Sequence, residues 1–248
     1  MPEQTVVLIT GGNRGIGYGL ARKLAREQPD YHIIIGSRDA DQGIKAASSL
    51  SDTSSVATVS SLQLDVTSDT SIAAAADLIQ QRHGRLDVLV NNAGIALDVK
   101  EKGKGTPIRS LMQRTFDVNV FGAAAVTDAF IPLLENAKST PRIVFTSSSV
   151  GSLAHAADLT NPWSKVPIPA YRTSKAALNM LMLSYAAILH DKGFKVNASC
   201  PGHIGTDLND YRGTGSIDDG AVNLARLVTL GEDGETGTFS TAEEVRPW

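Results

Sequence analysis

Short runs of aliphatic and β-branched residues alternate along the chain with longer segments whose apolar positions recur at helical spacing. The short runs are TVVLIT (5–10), HIIIG (32–36), SLQL (61–64), LDVLVNN (86–92), RIVFTS (142–147), KVNAS (195–199) and GTFST (237–241), and they predict seven strands. The longer segments predict helices over Gly15 to Gln28, Ser71 to Arg82, Ser110 to Glu135 with a break, Ala170 to His190, and Ile217 to Leu230. Nearly every strand is apolar on both faces, so each face must be covered. That favours a parallel sheet between two layers of helices, a doubly wound α/β fold forming one domain over residues 1–248. Two irregular stretches, DVKEKGKGTP (98–107) and AHAADLTNPWSKVPIP (154–169), read as loops, the charged first one as solvated surface.

Composition changes this picture mainly by exclusion. The 248 residues are 42% hydrophobic and 20% charged with a net charge of -3, and no apolar run approaches the ~18 residues of a membrane span. The absence of a basic stripe argues against nucleic acid as a partner. Cys200 is the only cysteine, and Met1-Pro2-Glu3-Gln4 has no signal-like pattern, so a cytoplasmic location is expected. His32, His83, His155, His190 and His203 are scattered without a metal-binding spacing, so no metal is expected and a zinc-dependent dehydrogenase is disfavoured.

Candidate chemistry begins directly after the first strand, in TGGNRGIG. Gly11, Gly15 and Gly17, with Asn13, Arg14 and Ile16 between them, fall where a strand turns into a helix. Glycine there permits a tight turn and close approach of a pyrophosphate to backbone N–H groups at the helix N-terminus. The second strand bears on which dinucleotide would bind. An NAD site places a carboxylate at its end to accept the ribose 2′-hydroxyl, whereas a 2′-phosphate needs a cation. Here the strand ends in Ser37 followed by Arg38, and Arg14 offers a second cation, so NADP(H) is expected. The alternative is that Arg38 solvates a strand end while Arg14 pairs with a carboxylate.

TGGNRGIG (10–17), NNAG (91–94), FDVNVFG (116–122), TSSSVG (146–151), YRTSK (171–175) and CPGHIGTD (200–207) occur in that order, and together they make the chain resemble the short-chain dehydrogenase/reductase family. The resemblance covers nearly the whole chain, and YRTSKAALNML with the late LGEDGETGTF looks most like carbonyl-reductase-type, fungal ketoreductase-like members. It implies a Rossmann fold. By matching motif, Ser148, three residues before Gly151, is implied as the serine that orients substrate, with Ser147 and Ser149 as the neighbours that could be mistaken for it. Asn119 is implied as the asparagine of a proton relay. Asp65 and Val66 would contact adenine, and Asn92, Ala93 and Gly94 would lie beneath the coenzyme. Pro201, Gly202, Ile204 and Thr206 would line its nicotinamide end.

Tyr171 and Lys175 stand four apart in a helical segment, so they share a face. A phenol is neutral at pH 7 and can protonate the alkoxide formed when a ketone accepts hydride. Removing its proton at pH 7 costs about 4 kcal/mol, and an ammonium ~4 to 5 Å away at an effective dielectric of ~20 offers a similar stabilisation, so Lys175 is expected to lower the phenol. In the family the same lysine also grips the nicotinamide ribose.

These readings converge on NADPH-dependent reduction of a small-molecule ketone or aldehyde. The alternatives are a non-catalytic NADPH sensor, an alcohol dehydrogenase working oxidatively, and an epimerase. Leu97, Leu153, Trp163, His203 and Tyr211 are the candidate substrate-lining residues. The segment between Ser148 and Tyr171 is longer than in many family members and is expected to wall the pocket. In the family such an enlargement can obstruct tetramer packing, which leaves a homodimer as the expected assembly.

Overall fold

The computed structural model describes residues 4–51 and 56–248. Met1, Pro2 and Glu3, on which the expected lack of a signal partly rests, lie outside the described residues. Seven strands form one sheet: β1 (Thr5–Thr10), β2 (Tyr31–Ser37), β3 (Thr58–Gln63), β4 (Val88–Asn91), β5 (Arg142–Thr146), β6 (Lys195–Ser199) and β7 (Phe239–Ser240). Their order is β3-β2-β1-β4-β5-β6-β7 and every pairing is parallel. The order reverses between β1 and β4, which opens a crevice at the carboxyl ends of those strands where ligands of such sheets bind.

Successive side chains on a strand point to opposite faces, and the core divides accordingly. Val7, Ile9, Ile33, Ile35 and Val90 pack on one side with Leu20 and Leu24 of α1 (Gly15–Glu27), Leu50 of α2 (Ala40–Ser51) and Leu224 and Leu227 of α9 (Ile217–Val228). Val6, Leu8, Ile34, Leu89 and Phe145 pack on the other with α3 (Asp69–His83), α6 (Gly122–Leu134) and α8 (Pro169–Ile188), through Ile79, Phe130 and Met182. Each such side chain contributes about 1.5–3 kcal/mol when fully buried. The predicted strands and helices all form. The extra helix α2 presents Gly43, Ala46, Ala47 and Leu50 as its buried stripe, residues too small to give a strong apolar period.

The break expected within residues 110–135 is a π-turn over Asp117–Phe121, joining α5 (Ile108–Phe116) to α6. Taken together, Ile108–Leu134 is 27 residues long and apolar enough to cross a membrane by length and composition, contrary to the expectation of no such run. Its apolar content serves the core instead: Val126, Phe130 and Leu134 are fully buried among residues that pack on the sheet. The two stretches expected as loops are also partly regular. Leu97–Lys100 forms a short helix α4, and the longer stretch contains α7 (Leu153–Ala157) and a 3-10 turn, Pro162–Lys165. Ser152 and Asn161 cap these turns by accepting from His155 N and Trp163 N.

Candidate active site

The glycine turn sits at the crevice. Gly11 and Gly15 have positive φ (60° and 57°), which a side chain at either position would disfavour. Helix α1 begins at Arg14 with no side-chain cap, leaving first-turn N–H groups without a side-chain acceptor. Asn92, at the end of β4, donates through Nδ2 to the carbonyls of Thr10 (2.9 Å) and Gly11 (3.2 Å), tying the turn to the central strand. Thr10 Oγ1 accepts from Asn92 N and Ala93 N on the same junction. A Cβ on Gly94 would lie 3.4 Å from Asn119 Oδ1 and 3.6 Å from Lys175 Nζ, so the missing side chain keeps the floor beside both groups open.

At the far end of the crevice the expected 2′-phosphate residues divide. Arg14 Nη1 is 2.9 Å from Asp207 Oδ2, so this guanidinium is already paired. Ser37 is buried and its hydroxyl donates to Asp39 O, so its contribution is the space a carboxylate would fill and not a side-chain contact. Arg38 is exposed and its guanidinium has no ion-pair partner among the described residues, while the neighbouring Asp39 carboxylate accepts from Gln42 N. Asp65 accepts from Thr67 N and Oγ1 at the end of β3, and the backbone oxygen of Val66 lies against Gly122. Gly202, Ile204 and Thr206 lie on the loop after β6. There Ile204 and Thr206 are buried, and Thr206 packs over Gly15, as Ile204 does over Gly220.

Helix α8 brings Tyr171, Ser174 and Lys175 to the same end of the sheet. Its N-terminus has Pro169 at the first turn and no side-chain cap of its own. The Asp98 carboxylate of α4 takes that place, accepting from Tyr171 N (2.7 Å) and Ala170 N (3.3 Å). Asp98 therefore holds the backbone of Tyr171 from 73 residues away. Sequence reasoning passed over it because it lies in a stretch whose charges read as solvated surface.

Ser148 stands beside the Tyr171 hydroxyl and is the side chain that favours its ionisation. Its neighbours are engaged elsewhere: Ser147 donates to Asn179 Oδ1, and Ser149 donates through both N and Oγ to Cys200 Sγ. Lys175 is buried, its Nζ donates to Thr146 O (2.7 Å), and it lies 5.7 Å from the centre of the Tyr171 ring. An ammonium has three protons, so two remain for other acceptors in the crevice. Asn119 is buried on the π-turn and clamps Ile95 through both backbone groups, while its Nδ2 also reaches Ser174 Oγ (3.0 Å). Both of its donors are thereby committed, and a relay through this side chain is left with Oδ1 alone.

The charge tuning differs from the expectation that Lys175 lowers the phenol. Burial raises the Tyr171 phenol above its ordinary range, the nearby Cys200 adds to the rise, and the Ser148 hydrogen bond only partly opposes it. Burial also lowers Lys175 to about 8. Desolvation disfavours each group's charged form, and it is the largest cause of both shifts.

A cavity of about 190 Å3 opens beside Ser148, walled by Trp163, His203, Cys200 and Gly202 among others. Trp163 and His203 meet edge to face at 5.1 Å. Of the expected lining residues these two are in place. Leu97, Leu153 and Tyr211 are not: Leu97 is half-buried in α4 beside α8, Leu153 is 69% exposed and Tyr211 is 73% exposed. The loop after Thr206 is pinned, because Lys100 Nζ bonds Asp210 (2.7 Å) and approaches Asp207 (3.4 Å). Arg172 was not anticipated as a wall residue. Its guanidinium donates to the carbonyls of Val150, Trp163 and Ser164, fastening the inserted segment to the helix of Tyr171.

The chain belongs to the short-chain dehydrogenase family, whose family model matches residues 5–216 under the description short chain dehydrogenase. It is an oxidoreductase of that family. It is 40% identical over 249 residues to a short-chain dehydrogenase/reductase of Stachybotrys chlorohalonatus, covering 95% of this chain and 87% of that one. It is 32% identical over 301 residues to (+)-neomenthol dehydrogenase of Arabidopsis thaliana, covering 99% of each. Among solved structures it is similar to NADPH-bound carbonyl reductase from chicken fatty liver, with a TM-score of 0.83, 27% identity, and coverage of 99% of this chain and 100% of that one.

Proposed function

We propose that the protein is an NADPH-dependent carbonyl reductase that converts a ketone or aldehyde to an alcohol. The observation that carries this reading is the cluster of Tyr171, Ser148 and the buried Lys175 at the edge of the cavity. The residues present fit a dinucleotide: the uncapped start of α1, the floor opened by Gly94, and a buried ammonium with two uncommitted protons. Arg38, exposed at the end of β2 where an NAD site carries a carboxylate, supports a 2′-phosphate.

When bound there, NADPH would supply a hydride, two electrons with one hydrogen, to the carbonyl carbon. The protein's part is to hold and protonate the oxygen. Ser148 and Tyr171 both donate to it, which fixes the carbonyl in one orientation and stabilises the negative charge that develops. Tyr171 then transfers its proton, and the Lys175 ammonium stabilises the resulting phenolate until solvent restores the proton. The raised phenol stays protonated at neutral pH, so a proton is present for the forming alkoxide, while the phenolate that oxidation would start from is scarce. The completeness of the Asn119, Ser148, Tyr171 and Lys175 set weighs against a non-catalytic sensor. A single buried thiol suits a reducing cytoplasm. Tyr171→Phe removes the proton donor while keeping the ring, and kcat for an activated ketone is expected to fall about 10²- to 10⁴-fold by loss of NADPH absorbance. Parental activity in that variant would refute the assignment.

A further inference from the structure

The cavity beside Ser148 carries an uneven charge. Arg172 and Arg246 line it together with His155 and His203, and none of its lining residues is a carboxylate. Arg172 makes no ion pair among the described residues, because its bonds run to backbone carbonyls. Asp158, on the inserted segment, turns its carboxylate to Thr160 N and Oγ1. Its charge still acts on His155, and Glu244 pairs with Arg246, its Oε1 2.7 Å from Nη1 and its side chain 59% exposed. A walled concave site focuses such a field.

Arg246 reaches the cavity from the end of the described chain. The tail is held there by Arg246 N donating to Phe239 O, by Ala154 N donating to Trp248 O, and by Trp248 stacking on Phe239 at 5.8 Å. Resting on the carbonyl-reductase reading, we propose that the substrate of this site is a carbonyl compound bearing a carboxylate, which sits against Arg246 while the carbonyl meets Ser148 and Tyr171. The planar guanidinium fork matches a carboxylate in shape and charge.

The test compares 4-formylbenzoate with its methyl ester, following NADPH consumption by the whole protein. The acid is expected to have about a tenfold higher kcat/KM, a preference that salt diminishes. Arg246→Gln should bring the ratio to about one, Arg246→Lys should keep most of it, and Glu244→Gln should raise it. The lysine variant, which retains the charge, separates loss of recognition from loss of the fold. If the ester is reduced but the parent shows no preference, or Arg246→Gln leaves the ratio unchanged, the carboxylate proposal is overturned and the reductase reading stands. If neither aldehyde is consumed while benzoate still binds the NADP+ complex calorimetrically in an Arg246-dependent way, the reductase reading fails and the substrate assignment falls with it.

Discussion

The two ends of the crevice are built differently. At the coenzyme end, backbone meets backbone: a Cβ on Gly19 would lie 2.6 Å from the carbonyl oxygen of Ile217, and one on Gly122 2.6 Å from that of Val66. At the substrate end, the wall is made of side chains on short turns, several of them in water, with Leu159 71% and Trp163 45% exposed. One end leaves no room for change. The other tolerates it, held by a guanidinium staple and a few caps. A family built this way can keep one coenzyme geometry while its substrate wall diverges.

The largest expected effect lies at the tight end. Gly19→Ala should lower stability by about 1–3 kcal/mol, since Ile217 must move, and thermal unfolding should show a midpoint lower by several degrees. An unchanged midpoint would show that the packing there is looser than the distances imply. Next, Ser37→Asp combined with Arg38→Leu should shift the NADPH-to-NADH ratio of kcat/KM by about tenfold or more, as a charge-assisted phosphate contact is replaced by repulsion. Retained discrimination would remove Arg38 from the coenzyme site.

A pH profile sharpens the contrast further. Lys175 is lowered to about 8, so its positive charge is present below that pH and lost above it, while the raised phenol stays protonated across the window. The kcat/KM for the coenzyme, which reports groups of the free enzyme, should be level below pH 7 and fall about tenfold per unit above pH 8. Folding stability should move the opposite way between 8 and Lys175's ordinary value of 10.5, because the unfolded chain then holds more protons than the folded one. An alkaline limb that persists in Lys175→Arg would assign it to another group. The smallest effect belongs to the open wall: Leu159→Ala should change stability by less than about 0.5 kcal/mol, read from the denaturation midpoint.

How far the site was legible in the residues follows the same division. The glycine turn, the seven strands and the spacing of Tyr171 and Lys175 depend on local geometry, and periods of two and 3.6 residues write that geometry into the order of side chains. Ser148 was separable from Ser147 and Ser149 by its distance from Gly151 and the family motif. Asp98 was not legible, since its role depends on a helix 73 residues away that lacks its own cap. Leu153 and Tyr211 misled because placement near the motifs in sequence does not say which way a side chain faces, and both face water.

By itself, then, the order of residues determined the layered parallel sheet and the family, and marked the candidate side chains for the reaction, because each rests on short-range spacing and burial pattern. The tertiary structure alone decided that Arg246 and Arg172 share a cavity with Ser148, and that desolvation raises the phenol. Both depend on which distant segments exclude water from a given atom, and that is a property of the assembled fold.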